Sequence, residues 1–160
     1  MNTIDYADKN CLNRLTEIAF SGKKHWNYPN EYYETWKNEL TITEEYLNNN
    51  IVKTIGEDNT IKGFYSFCYN EFEKYIGEIF VEKGYWLDHM FLDQQYIGKG
   101  LGKLMFVDLI NEIKNKKGRS FNIFVDPFSE GFYKKMGCSY LRESKSSIKG
   151  RNLPVYKYEI

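Results

Sequence analysis

Three alternating glycines between an apolar strand and an apolar helix constrain this chain more than any other feature. Gly98, Gly100 and Gly102 follow residues 85–92, which have the apolar composition of a buried strand. After the glycines, apolar residues recur at helical spacing as far as Ile113. Glycine lets backbone N–H groups approach a ligand without a Cβ in the way, and the first N–H groups of a helix have no partner within it. The stretch therefore predicts a strand, a glycine turn and a helix that together bind an anion.

Two other glycine-rich turns do not fit this spacing. A dinucleotide-binding turn requires Gly-x-Gly-x-x-Gly. Counted from Gly98 or Gly100, its third glycine falls on Lys103 or Met105. A P-loop requires Gly-x-x-x-x-Gly-Lys-Ser/Thr, and Leu104 stands where the hydroxyl residue belongs. The sequence therefore matches neither of these nucleotide-binding motifs.

The glycine turn resembles the pyrophosphate loop of the GNAT superfamily of N-acetyltransferases, whose pattern is Gln/Arg-Gly-x-Gly-x-Gly/Ala directly after a strand. Here the loop runs Ile97-Gly98-Lys99-Gly100-Leu101-Gly102. Ile97 departs from the family's Gln or Arg, which affects one side-chain contact to the cofactor and leaves the backbone contacts possible.

A second stretch, from Asp126 to Gly137, resembles the family's later motif Asn-x-x-Ala-x-x-x-Tyr-x-x-x-Gly-Phe. Tyr133 and Gly137 match it. Asp126, Ser129 and Cys138 stand in place of the Asn, Ala and Phe. The tail around Arg151 is similar to that of a bacterial branch of the superfamily, although no role for Arg151 follows from it.

Composition limits the classes of function. A chain of 160 residues with 42% hydrophobic and 18% aromatic residues predicts a single packed domain over residues 1–160. Its 22 basic and 22 acidic residues cancel, which disfavours nucleic-acid and membrane-surface binding. Three widely spaced cysteines and the lack of a signal peptide or a long apolar run predict a cytoplasmic protein without a disulfide frame or metal site.

The order of the predicted elements indicates an α/β (α+β) fold with one mixed sheet. It agrees with the GNAT fold, a mixed, mostly antiparallel sheet with splayed central strands flanked by helices. The predicted helices are 8–20, ended by Ser21-Gly22, then 30–40, a short helix with a Thr41–Glu44 capping box, 101–116 and 129–136. The predicted strands are 51–56, 61–69, a hairpin extension within 71–81, 85–92, 121–125, 140–143 and 154–160.

The resemblance implies acetyl-CoA as co-substrate, a primary amine as acceptor and, by analogy, a homodimer. Backbone N–H groups from Gly98 to Lys103 would bind the diphosphate, and the backbone of Met90 to Leu92 would pair with the pantetheine arm and polarise the thioester carbonyl. The full set of residues assigned to the cofactor is Met90, Phe91, Leu92, Ile97, Gly98, Lys99, Gly100, Leu101, Gly102, Lys103, Asp126, Ser129 and Phe132. Lys99 and Lys103 could instead be solvated lysines beside a helix start.

Proton transfer requires an acid and a base. Tyr133 is the candidate that protonates the leaving thiolate, and its alternative is a tyrosine packed in the core. His89 and Asp88 are candidates for the base that deprotonates the amine, although neighbours on a strand point to opposite faces, so at most one should face the cleft. His89 has the better intrinsic pKa, about 6.5. The alternatives are that His89 is a hydrogen-bonded core histidine, that Asp88 pairs with a cation, and that water relays the proton.

The N-terminal third carries the candidates for the acceptor pocket. His25, Trp26 and Tyr28 could line it, or they could anchor a loop on the core. The predicted activity is acetyl transfer to a primary amine of a small molecule or peptide. A non-catalytic acyl-CoA-binding module on the same fold is the alternative, favoured by the departures at Ile97, Asp126 and Cys138.

Overall fold

A computed structural model describes all of the chain, Met1 to Ile160. Short 3-10 helices precede three of the five α-helices. The α-helices are α1 (Leu12–Lys24), α2 (Asn30–Leu40), α3 (Glu44–Asn49), α4 (Leu101–Asn115) and α5 (Glu130–Lys135). The strands are β1 (Thr3–Tyr6), β2 (Ile51–Glu57), β3 (Thr60–Asn70), β4 (Lys74–Ile76), β5 (Ile79–Val81), β6 (Gly84–Leu92), β7 (Ser120–Phe124), β8 (Ser139–Lys145) and β9 (Asn152–Glu159).

Seven strands form one sheet in the order β1-β2-β3-β6-β7-β9-β8. The β6–β7 pair is parallel, and the pairs β1–β2, β2–β3, β7–β9 and β8–β9 are antiparallel. The predicted fold class, a mixed and mostly antiparallel sheet with helices, is confirmed. The structure adds the edge strand β1, which the sequence analysis did not predict.

Two compact units make up the fold. The first comprises Met1–Phe67 and His89–Leu109, and the second comprises Cys68–Asp88 and Ile110–Ile160. The strands β3 and β6 and the helix α4 each contribute residues to both units.

In the first unit, α1 begins and ends four residues later than predicted, at Leu12 and Lys24. Gly22 was predicted to end this helix, but the helix continues to Lys24, and Gly22 lies on its buried face. A Cβ at Gly22 would lie 3.1 Å from the Leu92 carbonyl oxygen and 3.1 Å from the Phe91 ring. The glycine therefore allows close contact between α1 and the end of β6 rather than a turn.

The cap of α3 also differs from the prediction. Thr43, not Thr41, is its N-cap, and Thr43 accepts a hydrogen bond from the Tyr46 N–H. Thr41 instead follows α2, where its hydroxyl donates to the Lys37 carbonyl at 2.6 Å. Each threonine thus satisfies a backbone group at a helix end.

The turn between β2 and β3 lies between the two strands predicted at 51–56 and 61–69. Asp58 and Asn59 both have positive φ, 49° and 63°, the conformation of a two-residue hairpin turn that Asn and Asp tolerate.

In the second unit, residues 71–81 do not lengthen the β2–β3 hairpin as predicted. They form a separate two-stranded sheet, β4–β5, with Gly77 at a φ of +61° in its turn. Phe72, Tyr75 and Ile76 are exposed there. Their apolar side chains had indicated a strand of the main sheet, and that prediction was wrong.

Helix α4 buries one face. Leu101, Met105, Leu109 and Ile113 recur every four residues and are at most 5% exposed. Leu104 and Val107 belong to the same apolar stretch of the sequence but are 50% and 44% exposed. None of the helices is both long and apolar enough to cross a membrane.

Candidate functional site

The glycine turn has the geometry of an anion site. Gly98 and Gly100 have φ values of +82° and +83°, and a Cβ at either position would meet nothing within 4 Å. Glycine is therefore required here by the left-handed backbone, and the space beside it is open. The first hydrogen bond of α4 runs from the Leu104 N–H to the Gly100 carbonyl at 3.4 Å.

Six consecutive backbone N–H groups, from Gly98 to Lys103, make no hydrogen bond within the protein. They lie at the N-terminus of a helix of 15 residues, where the partial positive charge of the helix dipole adds to their own. Gly98, Lys99, Gly100 and Lys103 are exposed. Such an arrangement fits a diphosphate, whose oxygens can accept several N–H groups at once.

Three lysines lie near the loop or near Tyr96, which precedes it. The Lys99 Nζ lies 5.7 Å from the centre of the Tyr96 ring, and the Lys62 Nζ lies 5.3 Å from it. Lys103 is exposed on the first turn of α4. Ile97 is half-buried, and its N–H donates to the Gln94 carbonyl at 3.4 Å.

Asp93 anchors the segment between β6 and this loop. Its carboxylate accepts hydrogen bonds from Arg14 Nη2 at 2.7 Å and from Ser21 Oγ at 3.2 Å. The Ser21 hydroxyl also accepts from the Gln94 N–H at 3.0 Å, and the Asp93 N–H donates to the Lys62 carbonyl at 2.9 Å. These bonds tie α1 and β3 to the residues that lead into the glycine turn.

The carboxyl of Asp93 is 14% exposed. Burial alone would raise its pKa, but hydrogen bonds from Arg14, Ser21 and Gln95 and the charge of Arg14 together hold the pKa below its usual value. No pattern in the sequence indicates this cluster, because Arg14 and Asp93 are 79 residues apart.

We expect Asp93→Asn to lower the free energy of unfolding at neutral pH by about 1–3 kcal/mol, because Arg14 loses a charged acceptor. The folded pKa lies below that of an unfolded aspartate, about 3.9. The contribution is therefore fully present above that value and is lost as the pH falls through the folded pKa. Urea unfolding of both proteins from about pH 2 to pH 7 measures it, with the difference shrinking below about pH 4.

The exposed carboxylate Glu34, in the middle of α2, provides a control. Glu34→Gln should leave the unfolding free energy nearly unchanged at every pH. If the loss in Asp93→Asn were constant down to the lowest pH, the carboxylate charge would not be its cause.

The end of β6 has one edge without a strand partner. The register between β6 and β7 covers Tyr85, Trp86 and Leu87, and the residues that follow on β6 have no register partner on β7. Met90, Phe91 and Leu92 lie in this stretch and are half-buried. Unpaired backbone groups on a strand edge can bind an extended chain that carries amides.

His89 is held by several contacts in the first unit. Its Nε2 lies 3.1 Å from the Glu39 carbonyl oxygen, its ring stacks on Tyr46 at 5.5 Å, and its backbone N–H donates to Ser66 Oγ at 3.1 Å. Because a carbonyl oxygen can only accept, Nε2 is the donor in this contact. Asp88, the other candidate base, is exposed.

Tyr133 lies on α5 in the second unit and is 8% exposed. Burial raises the pKa of its phenol far above the ordinary value, and the nearby groups Cys138 and Asp126 raise it further. The phenol is therefore fully protonated at neutral pH. Phe132, also on α5, packs edge-on against the Tyr133 ring with the centroids 5.0 Å apart.

Asp126 and Ser129 begin the turn that leads to α5. The Asp126 carboxylate accepts from the Phe128 N–H at 3.0 Å, and its carbonyl accepts from the Ser129 N–H at 2.7 Å. Helix α5 ends at Lys135, and Gly137, two residues later, has a φ of +100°. The predicted later motif is thus a capped turn and a short helix.

The thiols in the second unit are poor nucleophiles. Burial, followed by the charge of Asp88, raises the pKa of Cys68 to about 11. Burial raises the pKa of Cys138 to about 12. Both therefore remain protonated near neutral pH.

The three residues predicted to line an acceptor pocket take part in two separate ring contacts. His25 and Trp26 pack against each other, 4.5 Å between centroids. Tyr28 packs edge-on against the buried Trp36 at 5.0 Å, and the Lys23 Nζ lies 4.4 Å above the Trp36 ring. Tyr28 therefore belongs to an aromatic cluster that already contacts a cation.

The structure brings together, within the first unit, the loop from Ile97 to Lys103, the β6 residues Met90 to Leu92, and His89. The second unit holds Asp88 on β6 and brings together Asp126, Ser129, Phe132 and Tyr133 at the turn and α5.

Comparison with known proteins gives one family and one fold. Residues 27–159 match the family model for an acetyltransferase (GNAT) domain. No curated protein matches the chain.

Solved structures of similar fold cover the chain almost completely. The PaiA N-acetyltransferase of Thermoplasma acidophilum in complex with coenzyme A is 20% identical, with a TM-score of 0.74 over 100% of this chain and 99% of that one. A GNAT family acetyltransferase of Elizabethkingia anophelis with acetyl-CoA bound is 15% identical, with a TM-score of 0.65 over 99% and 98%. The ribosomal-protein-S18-alanine N-acetyltransferase of Escherichia coli is 15% identical, with a TM-score of 0.69 over 100% and 94%.

Proposed function

The chain belongs to the GNAT acetyltransferase family, and we propose that it is an acetyl-CoA-dependent N-acetyltransferase that acetylates a primary amine of a small molecule or peptide. The single observation that carries this proposal is the run of six unpartnered N–H groups from Gly98 to Lys103 at the start of α4. When bound, acetyl-CoA supplies an acetyl group activated as a thioester. The chain must bind and orient that group and move two protons.

The residues present fit this co-substrate. The N–H groups of the glycine loop would hold the diphosphate, with Lys99 and Lys103 adding charge. The free edge of β6 at Met90 to Leu92 would pair with the pantetheine amides as an added strand. A backbone N–H of the same stretch would donate to the thioester carbonyl as negative charge develops on its oxygen, a type of stabilisation worth about 3–4 kcal/mol in other enzymes.

Proton transfer completes the reaction. The amine nitrogen forms a bond to the acetyl carbon, and the carbon–sulfur bond breaks. Tyr133 would give its phenolic proton to the sulfur, and its high pKa keeps that proton available at neutral pH. His89 is the stronger candidate for the proton of the amine, because an imidazole, with an ordinary pKa of about 6.5, is a better base near neutral pH than an aspartate, whose ordinary pKa is about 3.9. The alternative is that a water molecule, and not His89, accepts the proton of the amine.

His25, Trp26 and Tyr28 are the candidates to line the acceptor pocket. Because the Lys23 ammonium already lies over the Tyr28 and Trp36 rings, these rings do not select among acceptor amines by charge.

An acetyl-CoA consumption assay across a library of amines, peptides and polyamines tests the proposed function. We expect saturable formation of free CoA thiol with at least one amine, and none without an acceptor. If the protein binds CoA but acetylates no amine in the library, the alternative of a non-catalytic acyl-CoA-binding module replaces this proposal.

A further inference from the structure

Two adjoining cavities lie at the start of β6 and β7 in the second unit. They have volumes of about 320 Å³ and about 360 Å³, and Gly84, Tyr85 and Ser120 line both of them. We call these two lobes together the basic groove, which is lined by residues 69, 82–85, 116–122, 141–142 and 157. None of these residues belongs to the set assigned to acetyl-CoA, because the groove lies where β6 begins and the glycine loop follows the last residue of that strand, Leu92.

Packing fixes the Tyr85 ring, which both lobes share. A Cβ at Gly118 would lie 2.7 Å from that ring and 2.4 Å from Ile113, so a glycine is needed for the turn after α4 to pack this closely on it. The Tyr69 ring packs edge-on against Tyr85, with the centroids 4.8 Å apart. The wall common to the two lobes is therefore formed without a ligand, as in most small-molecule sites.

The basic groove has a local excess of positive charge. Its lining includes six basic side chains and one acidic side chain, although basic and acidic residues are equal in number over the whole chain. The one carboxylate, Glu82, accepts from Arg142 Nε at 2.6 Å and from Arg142 Nη2 at 3.0 Å. Lys157 pairs with Glu159 at 3.3 Å. Both oxygens of Glu82 are thus occupied by a single arginine.

Four basic side chains of the groove have no acidic partner within the protein, and all four are exposed: Lys83, Lys116, Lys117 and Arg119. Lys116 and Lys117 follow the C-terminus of α4, where positive charge also stabilises the helix dipole. That explanation does not apply to Lys83 and Arg119, which directly precede β6 and β7.

The strand register places Lys83 and Arg119 at the same end of neighbouring strands. Strands β6 and β7 are parallel, with Tyr85 opposite Phe121, and each cation lies two residues before its member of that pair. Neighbouring strands are about 4.8 Å apart. Two unpaired cations that begin adjacent strands repel each other, and an anion bound between them relieves this repulsion.

We propose that the basic groove binds a small polyanion with at least two phosphate or carboxylate groups. One anionic group contacts Lys83 in the first lobe, and another contacts Arg119 and the lysines after α4 in the second. Each lobe has a volume at the lower end of the range for small-molecule pockets, about 300–1,000 Å³, which favours a small ligand over a nucleic acid or a membrane surface.

Amide correlation spectra of the ¹⁵N-labelled wild-type protein, recorded during a titration with inorganic tripolyphosphate, test the proposal. We expect saturable shifts of the Gly84 and Gly118 signals, with one common Kd of about 1 mM or tighter at low ionic strength. The signals of Gly98 and Gly100 report separately on any binding at the glycine loop. A parallel titration with citrate distinguishes phosphate from carboxylate as the anionic group. If neither anion shifts Gly84 and Gly118 saturably, the inference is overturned.

Lys83→Gln and Arg119→Gln should each raise the Kd for tripolyphosphate roughly fivefold, because each removes one charge contact. Lys145→Gln is the matched control, since Lys145 is an exposed lysine of β8 in the same unit and does not line the groove. Its Kd should stay within about twofold of the wild-type value. An equal rise in all three variants, or no rise in either groove variant, would show that these cations do not form a site.

This inference is independent of acetyl transfer. A protein that acetylates no amine would overturn the proposed function but not the anion site, because the titration requires neither CoA nor turnover. A protein that acetylates an amine and shows no saturable shift of Gly84 and Gly118 would overturn the anion site alone.

Discussion

Replacing Gly98 and Gly100 together with alanine is expected to weaken CoA binding roughly 30-fold or more, because each alanine costs about 1–2 kcal/mol in the left-handed region. Both glycines have φ near +80°, and an added Cβ meets no atom of the protein. The loop can relieve the strain only by moving its backbone, which turns the N–H groups away from the diphosphate. Calorimetric titration with CoA measures the change in Kd.

Gly77→Ala is the matched control for this pair. Gly77 has a φ of +61°, also meets nothing within 4 Å on addition of a Cβ, and lies in the β4–β5 turn of the second unit. It should cost a similar amount of stability per residue and leave the Kd for CoA unchanged. If the Gly98→Ala/Gly100→Ala protein bound CoA as tightly as wild type, the loop would not hold the diphosphate through its backbone.

Tyr133→Phe is expected to lower kcat by about 100-fold or more, the usual contribution of a general acid, while the Kd for CoA changes less than about twofold. The ring remains and keeps its packing on Phe132, so the loss is confined to the hydroxyl. Kinetics with the best amine from the library and calorimetry with CoA separate the two effects.

Tyr156→Phe controls for the loss of a buried hydroxyl. Tyr156 is 2% exposed, and its hydroxyl donates to Glu130 on α5 at 3.2 Å. We expect this change to lower stability by about 1 kcal/mol and to leave kcat nearly unchanged. Equal losses of kcat in the two variants, or none in Tyr133→Phe, would assign Tyr133 to the core rather than to the chemistry.

Local features of the chain were predictable from its sequence. The glycine turn, the strand before it and the helix after it were predicted within one residue at most boundaries, because alternating glycines between two apolar segments permit few structures. The predicted end of α1 was wrong, because Gly22 lets the helix pack closely on Leu92 and does not end it. A glycine that permits close packing cannot be distinguished in the sequence from a glycine that caps a helix.

Contacts between distant parts of the chain were not predictable. Arg14 and Asp93 lie far apart in sequence, and no spacing rule connects them. The pairing of Arg151 with Asp126 depends on a loop whose shape is set by the Ser146 hydroxyl. The burial of Tyr133 likewise follows from how α5 packs and not from its position in a motif.

The central claim is that backbone N–H groups at the start of α4 bind the diphosphate of CoA. Amide correlation spectra of the ¹⁵N-labelled wild-type protein, recorded during a titration with CoA, test it most directly. We predict saturable shifts of the Gly98, Gly100 and Gly102 amide signals, with those of Gly77 and Gly150 unmoved. Saturable binding of CoA that leaves the three loop glycines unshifted, or no binding at all, would contradict it.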